Sequence, residues 1–372
     1  MNRTIPIFLL FFLTLVVFLS PVRAEGSASD DSVPPPKAKS KNRFIGSPLV
    51  YYSPETRIAF GAAGTYIIRF SGTDDKTRPS SIAPIVIYTQ EKQFKSEIKT
   101  DIYTRRNAYH FFMDLKGENY PDKFFGIGND TLTENEESYT SKNLEMSLGF
   151  LRNVGNGYNL GLEYAFSNWT ISQKKDGGLL DSGHYLGSDS GKLSGIGFIA
   201  NQDTRDNIYF PMKGNFLEVK GRVYAKALGS RYGFSVLSLD LRKYVTVLTT
   251  HVFAVQALIK TQSGDVPFTE LAKMGGANVM RGYFYGKYRD KSMVVIQTEY
   301  RMPLVWRFGV VAFAGIGDVA GQLNQIDFLK LKASYGLGLR LLFDKKEKIQ
   351  VRLDYGFGKK TSGFYASIFE AF

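Results

Sequence analysis

Hydrophobic and polar residues alternate along most of this chain with a period of two. Between 215 and 225, Leu217, Val219, Val223 and Ala225 share one face, and Glu218, Lys220 and Arg222 share the other. The stretch 235–245 repeats the pattern, with Leu237, Leu239 and Leu241 opposed by Ser238, Asp240 and Arg242. In 94–104, Phe94, Ile98 and Ile102 oppose Lys95, Glu97, Lys99 and Asp101. Near the end, Ile349, Val351, Leu353 and Tyr355 oppose Arg352 and Asp354. A helix would gather its apolar residues at spacings of three and four, whereas a strand sends successive side chains to opposite faces. Strands are therefore predicted to start near Ser47, Arg57, Ser80, Gln93, Asn107, Ser141, Tyr158 and Lys192. Others start near Gly214, Arg231, Leu248, Lys291, Phe308, Leu331, Ile349 and Phe364.

Alternation alone also fits a soluble sandwich, but three features favour a membrane. The segments run about ten residues or more, the length of a tilted membrane span. Their polar faces carry charges of both signs, as a wet interior allows. Aromatics crowd the segment ends (Tyr51–Tyr52, Phe111–Phe112, Phe124–Phe125, Tyr283 to Tyr285), where interfacial girdles belong. Hydrocarbon offers no partner to an unpaired strand edge, so the sheet must close. The expected fold is an all-β, transmembrane antiparallel barrel of about sixteen strands. With both termini periplasmic, the longest connections, around 116–140, 171–191 and 263–290, fall outside the cell.

The first residues agree with export. Arg3 precedes an apolar run from Ile5 to Leu19, and Val22-Arg23-Ala24 offers a small-residue cleavage site, so 1–24 reads as a signal peptide. Residues 25–43, with Pro34-Pro35-Pro36 and four basic residues, read as a flexible polar linker, and 44–372 as one barrel domain. The net charge is +12, or +10 without Arg3 and Arg23, a balance suited to outer-membrane lipid and lipopolysaccharide. Export and the lack of any nucleic-acid motif argue against nucleic acid as a partner. The chain has no Cys and three scattered His, so neither disulfides nor a metal site is expected, and no cofactor.

The candidate chemistry lies in Gly275-Gly276-Ala277-Asn278-Val279-Met280-Arg281-Gly282-Tyr283, within a long outer connection. A single guanidinium between glycines and an aromatic, facing carboxylates in a confined space, makes a strong and directional contact. By alternation, Glu299 and Asp318 are expected to receive Arg281, with the Tyr283 ring beside it. Asp354 and Glu218 are secondary neighbours on the same face.

Several motifs resemble the bacterial surface antigen superfamily, which includes BamA, TamA and the two-partner secretion transporters. Met280-Arg281-Gly282-Tyr283 resembles its (V/I)RG(F/Y) loop, with Met at the usually branched position. The run from Asp203 through Arg205, Asp206, Phe210 and Pro211 to Gly214 resembles its periplasmic turn. Gln297 to Arg301 and Phe313 to Gly321 resemble its next two strand motifs, and Phe372 its terminal aromatic assembly signal. The resemblance implies a loop folded into the lumen and latched there by Arg281 and Gly282 onto the two following strands. It also implies work in membrane biogenesis or translocation rather than catalysis. Residues 25–43 are too few for a POTRA module, so a barrel-only member with a separate periplasmic partner is expected. A low-conductance pore or a structural surface antigen is the alternative. A hydrolase built on Asp181, Ser182 and His184 is less favoured, since triad members normally come from separate elements.

Overall fold

The computed structural model describes residues 42–70, 77–208, 210–344 and 349–372. The signal-peptide reading lies outside the described residues, as does all of the linker but its last two positions. Arg43, placed in that linker, already opens the first strand.

Alternation becomes strand wherever it was expected. The first half of the chain forms β1 (Arg43–Ser53), β2 (Arg57–Ile68), β3 (Ser80–Thr89), β4 (Phe94–Tyr103), β5 (Tyr109–Phe124), β6 (Glu137–Gly155), β7 (Tyr158–Ser172) and β8 (Ser190–Asp203). Then come β9 (Gly214–Tyr224), β10 (Phe234–Val247), β11 (His251–Gly264), β12 (Ala272–Met274) and β13 (Tyr288–Asp290). The series ends with β14 (Ser292–Pro303), β15 (Phe308–Ala320), β16 (Lys332–Asp344), β17 (Ile349–Gly358) and β18 (Thr361–Ile368). All but β12 and β13 form one closed antiparallel barrel of sixteen strands, in which β11 pairs with β14 and β1 with β18. Strands β5 and β6 extend beyond their expected ends, so the connection expected over 116–140 shortens to 125–136.

Burial is inverted relative to a soluble protein. Leu162 and Leu337 are each 69% exposed on the outer wall, while Glu299 and Asp354 are fully buried inside. Lipid covers the first pair and lumenal partners satisfy the second, as a membrane-spanning barrel requires. One rim carries short turns, such as 248–250 and 304–307. The other carries the long connections 173–189 and 265–291. Short turns mark the periplasmic rim.

Two features position the site. The closing seam is thin: β1 and β18 share the single registered pair Tyr52↔Ala366, while β17 and β18 pair from Val351↔Ile368 to Gly358↔Thr361. The connection 265–291 also turns inward. Its Val266, Phe268 and Leu271 join Phe124, Tyr139, Trp169, Leu180 and Leu193 in an apolar dome under the outer mouth. Deeper down, its Met274, Met280 and Tyr283 pack on Met293, Val295 and Val319 of the wall.

Candidate functional site

Glycine lets the inward loop lie flush on the barrel wall. Gly282 adopts φ +107°, and a Cβ there would come within 2.6 Å of the Phe357 backbone. Opposite it on β17, a Cβ on Gly356 would meet the Arg281 carbonyl carbon at 2.7 Å and the Gly282 nitrogen at 2.8 Å. Both sides must lack a side chain for the backbones to touch. The Gly282 N–H donates to the Tyr365 hydroxyl on β18 at 3.0 Å, and Met280 N–H donates to the Gln297 side chain at 3.2 Å. Met280 itself is held at φ +53°, a conformation that side chains disfavour.

These contacts aim Arg281 at two carboxylates. Its Nη2 lies 2.5 Å from Glu299 Oε1 and its Nη1 2.5 Å from Asp354 Oδ2. The guanidinium sits 3.7 Å above the centre of the Phe313 ring and is 2% exposed. Asp354 also receives Arg340 at 2.6 Å and Arg352 at 3.4 Å, while Glu299 receives Arg301 at 2.7 Å. Glu370 holds Arg340 at 2.9 Å and Arg301 at 3.9 Å. Four guanidinium groups thus share three side-chain carboxylates, and one of the four, Arg301, also reaches Phe372 O. Arg352 further donates to the Asn278 side chain at 2.6 Å, returning the network to the loop.

The structure departs from three expectations. Asp318 does not receive Arg281; Asp354 takes that role. In the β14–β15 register Phe313 stands across from Glu299 and Asp318 across from Val294. Asp318 therefore lies five residues, roughly 17 Å, nearer the outer rim and on the alternate position. Its carboxylate accepts from Val319 N–H instead. The ring stacked against Arg281 is Phe313, not Tyr283. The Tyr283 hydroxyl donates to Ala333 O at 2.8 Å and accepts from Lys359 N–H at 2.9 Å. Glu218 pairs with Lys220 at 2.9 Å.

In the sequence no site role falls to Arg301, Arg340, Arg352, Phe313 or Glu370, although Arg301 and Phe313 lie within the two strand motifs and a further signal is present. Glu299 with Arg301, and Arg352 with Asp354, are charges two apart on one strand and therefore share a face.

Arg301 ties the Arg281 cluster to the periplasmic side. Its guanidinium donates to Phe372 O at 3.0 Å and Pro211 O at 3.4 Å, and lies 5.9 Å from the Phe210 ring. The turn that supplies Phe210 and Pro211 is held by its own polar residues. Arg205 grips Asp203 through Nε at 2.9 Å and Nη2 at 2.8 Å, and Asp206 accepts from Met212 N–H at 2.9 Å. Gly214, at φ +107°, permits the close return beside Thr204 O. Phe372 is buried against Tyr244, Val252 and Ala254. Motifs far apart in the sequence meet in one network.

Above this cluster, Tyr285 N–H donates to Glu55 in the β1–β2 turn at 2.8 Å, so the loop touches both sides of the seam. Burial, with the Arg289 guanidinium next to it, holds the loop's Lys273 ammonium down to about 8. In the outer loop, the Ser182 hydroxyl donates to Leu179 O, and Asp181 accepts from Gly177 N–H and pairs with Lys174. Those oxygens serve the loop's own folding, which is not the arrangement a hydrolytic triad needs.

A family profile described as the Omp85 superfamily domain matches residues 88–372. The fold is similar to BamA from Haemophilus ducreyi, solved without POTRA domains 1–3, with a TM-score of 0.62 at 14% identity, covering 89% of this chain and 71% of that one. It is also similar to CdiB from Acinetobacter baumannii, with a TM-score of 0.52 at 13% identity over 88% of this chain. For CdiB from Escherichia coli the TM-score is 0.55 at 10% identity, again over 88% of this chain. The chain spans 59% and 63% of those two CdiB chains, less than two thirds of their length. No curated protein matches the sequence.

Proposed function

This chain belongs to the Omp85 superfamily, and from that premise we propose that it serves membrane-protein or lipid biogenesis, or translocation across the outer membrane, with the β1–β18 seam as its gate. It is an outer-membrane barrel related in fold to BamA and CdiB. The reading rests chiefly on one observation: a loop held by Arg281 crosses the lumen and contacts both sides of a seam that has one registered pair. Such a seam is the least costly place to part the wall, because few ladder hydrogen bonds are lost there. Arg281 acts as the latch that fixes the loop, and a separate periplasmic partner delivers what passes. Catalysis plays no part in this scheme.

The chain's lack of Cys makes a clean test. In the Tyr52→Cys/Ala366→Cys variant the two cysteines face each other across the seam. In proteoliposomes, insertion of an unfolded β-barrel polypeptide, read by protease protection, should stop on oxidation and return on reduction. Equal insertion in both states would remove the seam from the mechanism. If the protein promotes no insertion and its depletion leaves the outer-membrane proteome and exported proteins unchanged, the biogenesis and translocation readings both fall. Planar-bilayer recording then tests for a passive pore.

A further inference from the structure

Two adjacent periplasmic turns are built from the wrong residues for a surface facing water. In the turn after β10, Leu248 is 75% exposed, with φ +45° at Leu248 and +65° at Thr249. In the turn after β14, Leu304, Val305 and Trp306 are 57%, 77% and 75% exposed, with Trp306 at φ +59°. Bulky and β-branched residues rarely adopt these angles, which Gly and Asn supply at little cost. The turn after β6 shows the ordinary solution, with Gly155, Asn156 and Gly157 at positive φ. Because β11 pairs with β14, with Val252 opposite Arg301 close to both turns, the two turns are neighbours. Together they form an apolar knob that combines backbone strain with exposed hydrocarbon.

Its surroundings indicate what covers it. The lipid-facing wall leads into it through Val245, Phe253 and Phe308, which are 40–50% exposed, and the Trp306 and Phe308 rings lie 5.6 Å apart. The Arg307 guanidinium lies 5.4 Å over the Trp306 ring. Tryptophan beside arginine at the end of an apolar wall suits the zone where acyl chains meet phosphates.

We infer that this knob is a lipid-binding anchor, seated in the interfacial zone of the periplasmic leaflet with Arg307 at the level of the phosphates. Entry into that zone removes the apolar side chains from water and so offsets the strain of the turns. The anchor does not depend on whether the barrel translocates anything.

The chain's two tryptophans make it testable, since Trp169 is buried in the dome and Trp306 is exposed. Subtracting the fluorescence of Trp306→Phe from that of the full wild-type chain isolates Trp306. The conservative variant should keep the heat-dependent gel mobility of a folded barrel. In vesicles of phosphatidylcholine and phosphatidylglycerol, Trp306 emission should be blue-shifted and shielded from iodide. It should also lose intensity when the acyl chains are brominated near the headgroup. Quenching by iodide without any effect of brominated lipid would overturn the proposal. So would shielding seen in native membranes but absent in pure lipid vesicles, which would assign the knob to a protein partner.

Discussion

Counting charges around Asp354 gives an unequal result for the two ends of one ion pair. Arg281→Met removes one of four guanidinium groups, leaving three against three side-chain carboxylates. Neither acid is stranded, because Glu299 keeps Arg301 at 2.7 Å and Asp354 keeps Arg340 at 2.6 Å. The loss should be about 1.5–3 kcal/mol, the range for a charged hydrogen bond given up. Asp354→Asn instead leaves four guanidinium groups facing two carboxylates, with Arg281, Arg340 and Arg352 all deprived of the same partner. Unpaired buried charge costs about 3–5 kcal/mol. The double variant restores the wild-type difference of one between guanidinium groups and side-chain carboxylates, so Arg281→Met should relieve part of the Asp354→Asn defect. The assay is urea unfolding in lipid vesicles, checked by the midpoint of heat-dependent gel mobility. Asp318→Asn, outside the cluster, serves as the control and should leave the latch intact. An Asp354→Asn defect no larger than that of Arg281→Met, or strict additivity in the double variant, would refute the reasoning.

Two further outcomes follow from the loop. Gly356→Ala changes no charge but places a methyl within 2.8 Å of the Arg281 and Gly282 backbone, so it should expel the loop. A cysteine introduced at Val279 should then react faster with a membrane-impermeant maleimide, and an unchanged rate would show that the loop does not rest on β17. Lys273, held down to about 8 when folded against about 10.4 when unfolded, binds fewer protons in the folded state between those values. Its contribution to stability is therefore complete above the upper value and is lost as pH falls toward the lower one. The difference in unfolding midpoint between wild type and Lys273→Met should shift across that window. A flat difference would place Lys273 in open water.

The barrel was legible because its rule is local. Alternation needs only neighbours, and each strand begins within about four residues of its expected start. The latch was half legible. Arg281 and Glu299 meet as the motif suggests, but the second acid on Arg281 is Asp354, expected only as a secondary neighbour, rather than Asp318. Period-two counting assigns a face and not a height, and inter-strand register is set by the whole ladder. For the same reason Arg340 reads as an ordinary wall position, and Phe313, though it opens a strand motif, is not marked as the ring for Arg281 until closure brings β14, β15, β16 and β17 round one loop. The thin seam has no local sequence signature, since it joins strands nearly the full chain apart.

The final residues have a consequence for how the molecule is put together. Strand β18 stands between β1 and β17, yet Phe372 rests on Tyr244 of β10 and on Val252 and Ala254 of β11, well around the circumference. The segment after Ile368 is therefore drawn across the floor of the cylinder like a drawstring, with Glu370 and Phe372 O tied to Arg340 and Arg301 on the way. That knot can be made only after β10, β11, β14 and β16 have arrived, so it belongs to the late steps of assembly. Any factor that reads Phe372 during assembly must do so before the floor is drawn shut.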